Sequence, residues 1–341
     1  MPETGKYIYG IIPAPKSNGF GDGVYAVPYQ EISAVVSDSE IVDCINLQKD
    51  AAARFLIRHQ QTIEKVMENF TVIPMRLGTF ARDEEEVTLI LTKAYPMVQD
   101  IFDRVHNKTE TDVTATWNDF NSVIGKIGEE KEIKELKSRL LADPGAITVG
   151  DQMKVGLLIK KALEKRNGKC AERIRSALMA FSRNMKAHEL MDDRMVINTA
   201  FLVENPQREA FYKEVESLDA EFNNELDFRC VGPLPPYSFY TLEVKKMDFK
   251  EIDSARKRLD LSNNVISKDQ IKKAYQARAF DSHPDRNPDV TGIEEKFDEI
   301  TRAYKILVDY CEAFVREGQT DIYSFGEEKF RRNAILVRVK E

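Results

Sequence analysis

Ser282-His283-Pro284-Asp285-Arg286-Asn287-Pro288 is a short polar stretch between two segments that have the periodicity of helices. Each segment carries apolar residues three and four positions apart, which places them on one stripe of a helix. They are Ile271, Ala274, Tyr275 and Ala279 before the stretch, and Ile293, Phe297, Ile300, Tyr304 and Leu307 after it. Ser267 and Gln270 form a capping-box pattern at the start of the first segment. Because the prolines exclude helix between the stripes, the sequence predicts a helical hairpin with a polar loop at its tip.

This pattern resembles the J-domain of DnaJ-type co-chaperones. The matching residues are Leu259-Asp260-Leu261, Ile271-Lys272-Lys273-Ala274-Tyr275, His283-Pro284-Asp285 and Glu294-Glu295-Lys296-Phe297. In that family the His-Pro-Asp loop and the basic helix before it contact Hsp70 and stimulate its ATPase. The resemblance therefore implies an Hsp70 contact formed by His283, Pro284, Asp285, Lys272, Lys273 and Arg278. Gln276, Asp281 and Ser282 depart from the family pattern, and the alternative is that the loop is only a tight turn in a packing element.

The composition predicts a soluble globular protein of two or three domains, with 341 residues, 42% hydrophobic and 31% charged. The net charge of −7 argues against a general nucleic-acid binder. No apolar run approaches the ~20 residues of a membrane span, and the N-terminus lacks a signal-peptide pattern. The four cysteines form no pair motif, so we expect reduced core thiols in a cytosolic protein.

The first half of the chain predicts a mixed α/β fold. Strands are expected at Lys6 to Pro13, Val24 to Val27, Ile32 to Val36, Val72 to Phe80 and Thr111 to Trp117, and helices at Leu47 to Phe70, Asp83 to Val105 and Asp119 to Arg139. His59 falls on the apolar stripe of the first helix, which favours a hydrogen-bonded core residue over a catalyst. Arg76 lies among apolar residues and is expected to have a buried or partly buried partner.

A break is expected at Asp143-Pro144-Gly145, followed by helix from Val149 to about Leu190, either as one arm or as two pieces hinged at Asn167-Gly168. Its outer face is basic, which predicts a solvated face or, alternatively, an electrostatic landing site for an acidic partner. Residues 194–244 predict a β-α-β-β order, with strands at Arg194 to Val203, Phe228 to Val231 and Tyr237 to Val244 around a helix at Gln207 to Asn223. Asn333 to Lys340 alternates like a strand.

We therefore expect an α+β fold with four parts. They are an N-terminal mixed α/β domain over 1–145, a helical connector over 146–191, a ferredoxin-like α+β domain built from 192–250 plus 333–341, and a J-like helical insertion over 254–316 before the last strand. An insertion at a surface loop is tolerated thermodynamically.

Three further stretches are similar to the gas-vesicle GvpF/GvpL family. They are Tyr7-Ile8-Tyr9-Gly10-Ile11-Ile12, His59 with Val72-Ile73-Pro74-Met75-Arg76-Leu77-Gly78-Thr79, and Val231-Gly232-Pro233-Leu234-Pro235-Pro236-Tyr237-Ser238-Phe239. The resemblance implies structural roles for the motif residues His59, Pro74, Arg76, Gly78, Gly232, Pro236 and Tyr237. Leu234 stands where an aromatic residue is common, and many members lack the J-like segment.

This second resemblance implies a role in forming gas vesicles, the gas-filled protein shells of aquatic microbes. Because a shell subunit with an apolar gas-facing side would aggregate before assembly, it needs a binder. We expect an assembly factor or minor component that binds the shell subunit and other gas vesicle proteins, located at the gas vesicle and in the cytoplasm. The alternative is a J-domain co-chaperone that stimulates an Hsp70 through His283-Pro284-Asp285.

Catalysis is not expected. The four histidines are scattered and have no Cys or carboxylate partner at metal-ligand spacing. The sequence shows neither a nucleophile elbow nor a Walker loop. It therefore predicts an interaction protein with no metal, no cofactor, no nucleic-acid partner and no membrane partner.

Overall fold

A computed structural model describes residues 3–15, 19–42, 44, 47–142, 147–262, 266–288, 290–313, 322–327, 330 and 334–340. The chain forms two compact units, one from Met1–Asp103 with Tyr240–Glu341 and one from Arg104–Phe239. The break predicted at Asp143-Pro144-Gly145 and the domain boundaries predicted at 1, 145, 146, 316, 333 and 341 lie outside the described residues.

The first unit begins with an antiparallel sheet. Its strands are β1 (Thr4–Pro13), β2 (Gly19–Gly21), β3 (Val24–Tyr29), β4 (Ile32–Glu40), β5 (Ile73–Pro74) and β6 (Phe80–Ala81), in the order β2-β3-β4-β1-β5, with β6 also paired to β1. β1 is central and buried because its aromatic and β-branched side chains cover both faces. A Cβ at Gly10 would lie 2.7 Å from Val72 Cγ1, so glycine lets the segment leading into β5 approach β1.

The single strand expected from Val72 to Phe80 is two short strands separated by a turn. Gly78 has a φ of +83°, which ends an extended run. The Thr79 hydroxyl donates to the Arg76 carbonyl at 2.6 Å and closes the turn. The sheet is accompanied by two helices, α1 (Lys49–Met67) and α2 (Glu84–Val105), close to the predicted ranges. Glu86 N donates to the Asp83 carboxylate at 2.8 Å, which fixes the acidic start of α2.

The second unit is built on a four-stranded antiparallel sheet. Its elements are β7 (Lys108–Trp117), α3 (Phe120–Gly128), α4 (Lys131–Leu141), α5 (Val149–Met179), β8 (Asn184–Ala187), β9 (Met195–Glu204), α6 (Arg208–Glu221), β10 (Leu226–Leu234) and the single turn α7 (Tyr237–Tyr240). The sheet order is β10-β7-β9-β8. Trp117, Ile174, Phe201 and Phe211 lie in the core between sheet and helices.

The order of elements in this unit, β-α-β-β-α-β, is the ferredoxin-like pattern. The residues that form it are not the ones that the sequence predicted. The sequence placed the pattern in 192–250 plus 333–341 and assigned β7 to the N-terminal domain. In the structure β7 pairs with β9 and β10. Alternation along β7 predicts a half-buried strand but carries no information on its partner, which is why the boundary was misplaced.

Three local predictions need correction. α5 is one continuous helix that ends at Met179, with no hinge at Asn167-Gly168. Residues 184–187 form the exposed edge strand β8 instead of continuing the helix to Leu190. A short strand exposed on both faces has no apolar alternation by which the sequence could reveal it. Tyr237 begins the turn α7, and the next strand covers only Leu242–Lys246.

The rest of the first unit consists of β11 (Leu242–Lys246), α8 (Phe249–Arg258), β12 (Ile266–Ser267), α9 (Lys268–Asp281), α10 (Ile293–Ala313), β13 (Ile322–Tyr323) and β14 (Ile335–Val339). β11 pairs with β14, and β12 pairs with β13. α8, α9 and α10 share a core of their own that includes Ile252, Ile271, Ile300 and Leu307. The last strand therefore returns to β11, and not to the ferredoxin-like sheet.

The four cysteines are free thiols. Cys311 is buried in α10, whereas Cys230 is exposed on β10 and Cys44 and Cys170 are half-buried. The expectation of core thiols therefore holds for Cys311 and in part for Cys170, which packs against the core of the second unit.

Candidate functional sites: the His-Pro-Asp loop and the family motifs

The helix before the His-Pro-Asp loop is capped at its start as predicted. Gln270 N donates to the Ser267 hydroxyl at 3.2 Å, and Ser267 N donates to the Gln270 side chain at 2.8 Å. α9 ends at Asp281, and Pro284–Arg286 form a single 3-10 turn. The facing stripes of α9 and α10 meet, with the rings of Tyr275 and Tyr304 stacked at 4.4 Å. The hairpin therefore presents its polar loop at the tip.

Side chains of the loop form hydrogen bonds with its own backbone. His283 Nδ1 accepts from Asp285 N at 3.2 Å, and the His283 ring lies edge-on to Phe297 with centroids 5.4 Å apart. Asn287 Nδ2 donates to the carbonyls of Asp281 and His283 at 3.0 and 3.1 Å. The Asp285 side chain remains 89% exposed. The arrangement leaves a carboxylate on a fixed loop, where a cation of a partner protein can reach it.

The basic side chains predicted beside this loop all lie on the surface of α9. Lys272 and Lys273 are exposed and form no ion pair with any described residue. Arg278 is exposed but pairs with Asp260 at 3.0 Å, which partly neutralises it. Arg286, which the sequence did not single out, lies over the ring of Phe280 at 3.6 Å and adds a cation next to the loop.

A network of charged side chains ties α10 to the paired strands β11 and β14. Asp309 pairs with Lys245 of β11, and with Arg338 of β14 at 3.2 Å. Arg338 also pairs with Glu243 at 2.7 Å, and Glu243 pairs with Arg76 at 3.2 Å. This chain of contacts runs from the Pro-Met-Arg-Leu-Gly-Thr block to α10. Within it, Glu243 is the partner that Arg76 was predicted to need.

Further contacts hold the same junction. Arg76 N donates to the Leu242 carbonyl at 2.7 Å, which attaches β11 beside the N-terminal sheet. Lys246 pairs with the buried Glu86 of α2 at 2.7 Å. Lys93 of α2 donates to the Ala313 carbonyl, the last residue of α10, at 3.1 Å. Sequence reasoning missed these contacts, since the pairs are separated by more than 150 residues.

His59 is a buried core residue, as its position on the apolar stripe predicts. Its Nδ1 shares a hydrogen bond with the Tyr7 hydroxyl at 2.6 Å, and its ring stacks on Tyr9. Burial lowers the pKa of His59 to about 4, so the ring is neutral near pH 7. Gly78 N lies 3.5 Å from the same Tyr7 hydroxyl. The adjoining cavity of about 10 Å³ holds at most about one water, so the motif is structural here.

The second family block packs on the ferredoxin-like sheet. A Cβ at Gly232 would lie 3.1 Å from the Glu110 carbonyl and 3.0 Å from the Thr111 hydroxyl, so the close approach favours glycine. After Pro236, Tyr237 N donates to the Pro235 carbonyl at 2.6 Å and starts the α7 turn. Pro74 of the first block pairs with Gly10 in the other unit's sheet. These local contacts fit the structural roles expected for the motif residues, which stay predictions.

A buried acidic pair lies beneath that block and was not predicted. Glu110 accepts from Ser238 N at 2.8 Å and from the Ser238 hydroxyl at 2.7 Å. His188 Nε2 lies 3.0 Å from the same hydroxyl. Burial raises the pKa of Glu110 to about 8, and burial also raises the pKa of Asp112. Two carboxyl groups two positions apart on a strand point to one side of the sheet, which is the sequence signal that could have found the pair.

Among the residues that the structure describes, no group of three or more His, Cys, Asp or Glu side chains is arranged to hold a metal ion. Within the same ranges, no helix combines the length and the apolar character needed to cross a bilayer. The absence of catalysis stays a prediction.

Comparison with known proteins now defines the family. The model for the gas vesicle synthesis protein GvpL/GvpF matches residues 5–241. The chain belongs to this family. Gas vesicle protein F of Microcystis aeruginosa (strain PCC 7806) is 24% identical over 250 residues, covering 70% of this chain and 99% of the relative. Gas vesicle protein F1 of Halobacterium salinarum is 26% identical over 247 residues, covering 70% and 93%.

The fold is similar to that of solved family members. The crystal structure of GvpF from Anabaena sp. PCC7120 matches with a TM-score of 0.61 at 23% identity, covering 70% of this chain and 98% of that one. A second family model, that of the DnaJ domain, matches residues 254–312 in the hairpin region. Chaperone protein DnaJ of Herminiimonas arsenicoxydans is 48% identical over 66 residues, which are 19% of this chain and 16% of the relative.

Both resemblances drawn from the motifs are confirmed. The GvpL/GvpF region and the J domain occupy successive parts of the chain, and the relatives support a gas-vesicle-associated role. The Hsp70 contact by His283, Pro284, Asp285, Lys272, Lys273 and Arg278 stays a prediction.

Proposed function

We propose that this protein is a non-catalytic assembly factor or minor component of gas vesicles that binds the hydrophobic shell subunit while vesicles form. Its J domain brings an Hsp70 to the same client. One observation carries the proposal: a GvpL/GvpF region and a J domain lie on one chain, and ion pairs through Glu243, Arg338 and Asp309 fasten the J domain within the first unit.

Joining the two regions on one chain raises the effective concentration of an Hsp70 at the client. An unassembled shell subunit exposes a large apolar surface and aggregates unless a partner covers it. A binder fused to an Hsp70-recruiting domain brings the chaperone to the client at the effective concentration of an intramolecular encounter. We place this activity in the cytoplasm and at the gas vesicle, without nucleic-acid or membrane partners.

Binding to the shell subunit is tested by a pull-down. The full-length protein is immobilised, and the purified shell subunit of the same host is diluted onto it from denaturant. We expect retention of the subunit, and we expect deletion of the gene to reduce vesicle number or buoyancy. No retention together with unchanged buoyancy would overturn the proposal.

The J-domain activity is tested by ATP turnover of the host's Hsp70. The unmutated chain should stimulate turnover, and His283→Gln should abolish the stimulation. His106→Gln is the matched control, because His106 is exposed and lies outside the J domain. If the unmutated chain gives no stimulation, the recruiting role is excluded and the loop is only a tight turn.

A further inference from the structure

α5 is longer than the sheet it covers. Its 31 residues span about 46 Å at 1.5 Å per residue. The two longest strands beneath it, β7 and β9, have 10 residues each and span about 33 Å. The helix is therefore longer than these strands by about 13 Å, or about two and a half turns.

α5 carries one apolar stripe in its second half and another along this overhang. In the second half of the helix the stripe consists of Leu163, Ala171, Ile174 and Leu178, all buried in the core. Toward the N-terminus, Val149, Met153 and Leu157 repeat every four residues and form a second stripe, which is turned away from the buried one because Leu157 lies six residues before Leu163. These three side chains are 73%, 64% and 64% exposed. This second stripe faces solvent.

The overhang is a fixed element of the fold. Asp151 N donates to the Thr148 hydroxyl at 3.2 Å, and Thr148 N donates to the Asp151 carboxylate at 3.1 Å, which completes a capping box. Leu158 and Ile159, on a different face of the same turns, pack against the core of the unit. The apolar stripe is therefore presented on a rigid helix.

The charges beside the stripe differ from those farther along the helix. Arg166 pairs with Glu225 at 3.4 Å, and Arg173 pairs with Glu221, so these cations are neutralised within the unit. Lys154 and Lys161 are exposed and have no ion pair with a described residue. Lys160 has only a distant one, 3.9 Å from Glu164. The exposed apolar stripe is thus flanked by cations that a partner's carboxylates could neutralise.

We propose that this face, formed by Val149, Met153 and Leu157 with Lys154, Lys160 and Lys161, binds an amphipathic helix of the gas vesicle shell subunit whose carboxylates meet the lysines. The proposal rests on the proposed function and names its binding surface. Apolar side chains four residues apart on one exposed helix face are the contacts through which two amphipathic helices pack. Gly156 lies on the same face with open space around it, so a partner helix can approach closely there.

The charges argue against a second copy of this chain as the occupant. A symmetric pair is self-complementary, so each residue near the two-fold axis meets its own counterpart. An antiparallel pair centred on Met153 would bring the two Lys154 side chains together, and like charges at that distance repel. A client that supplies carboxylates has no such penalty.

The test uses the full-length protein and two double variants. Met153→Glu with Leu157→Glu adds charge to the stripe, and Leu190→Glu with Met191→Glu does the same at exposed apolar residues elsewhere in the unit. Because all four side chains are exposed, both variants should melt like the unmutated protein by circular dichroism. Capture and light scattering of the purified shell subunit are then measured.

We expect the stripe variant to lose about tenfold or more in apparent affinity for the subunit, and the control variant to match the unmutated protein. Lys154→Gln with Lys161→Gln should weaken capture and reduce its salt dependence. Equal capture by the stripe variant would overturn this surface and leave the proposed function standing. No capture by the unmutated protein would remove both. A dimer in sedimentation that the stripe variant makes monomeric would assign the face to self-association and overturn the proposal.

Discussion

At the scale of single residues, His59 shows what a sequence can and cannot reveal. Its place on an apolar stripe was enough to predict a hydrogen-bonded core residue. The partner, Tyr7, lies 52 positions away on another element, so no local pattern could name it. The same limit applies to Arg76, whose need for a partner was predicted but whose partner, Glu243, was not.

His59 makes the stability of the first unit depend on pH. Burial lowers the pKa of its ring from 6.5 to about 4, so between these values the unfolded chain binds a proton that the folded unit does not. The free energy of unfolding should therefore fall as pH drops from 6.5 toward 4, by on the order of 3 kcal/mol. Hydrogen exchange of α1 amides across this range measures it. His59→Gln should flatten the dependence, and His106→Gln should leave it intact.

Gly78 and Gly125 provide a matched pair of glycine substitutions. Gly78 has a φ of +83°, and a Cβ there would lie 2.9 Å from Cys44 Sγ. Gly78→Ala should therefore cost about 1–3 kcal/mol of stability. Gly125 lies inside α3 with nothing within 4 Å of an added Cβ, so Gly125→Ala should stabilise by about 0.5–1 kcal/mol. Urea unfolding of both variants measures whether each substitution lowers or raises the free energy of unfolding. Equal effects would contradict the conformational argument.

At the scale of elements, periodicity was reliable where a helix or strand has one buried side. α1, α2, α9 and β7 lie close to their predicted ranges because their apolar residues repeat at the spacing of the element. β8 and α7 were missed for opposite reasons. β8 is exposed on both faces, and α7 is a turn fixed by the Glu110 carboxylate from a distant strand.

The attachment of α10 to β11 and β14 can be tested through Asp309. Asp309→Asn removes a carboxylate that meets Lys245 and Arg338, both of which are about four-tenths exposed. We expect a loss of about 1 kcal/mol, because solvent screens the partners. The amides of β14 and of the last turns of α10 should then exchange faster.

Asp298→Asn, on the same helix and exposed, is the control, since Asp298 has no ion pair with a described residue. Equal exchange in both variants would mean that the network does not hold the J domain in place.

At the scale of the whole molecule, the two units should respond to pH in opposite directions. In the second unit, burial beside Asp112 raises the pKa of Glu110 from 4.5 to about 8. The folded unit therefore binds a proton that the unfolded chain releases, and the free energy of unfolding should fall as pH rises from about 4.5 to 8. The fluorescence of Trp117, the chain's single tryptophan and buried in this unit, reports its unfolding separately.

Glu110→Gln should remove this dependence and raise stability at pH 8, because the amide can still accept from Ser238 N and donate to its hydroxyl. Glu172→Gln, at an exposed position on α5, should have no such effect. An unchanged slope in Glu110→Gln would assign the dependence to another group.

The paired strands β11 and β14 have a consequence for how this chain can be rebuilt. Met247 N donates to the Ala334 carbonyl at 2.8 Å, so the J domain leaves and re-enters the first unit at adjacent points. Replacing residues 248–333 with an Asn-Gly turn should give a β-hairpin at that place.

We expect the shortened chain to fold, to retain capture of the shell subunit and to lose Hsp70 stimulation; loss of capture would show that the J domain contributes to client binding. The same junction would accept a transplanted domain with neighbouring termini. The domain inserted between the two strands would then determine which cellular partner the protein recruits.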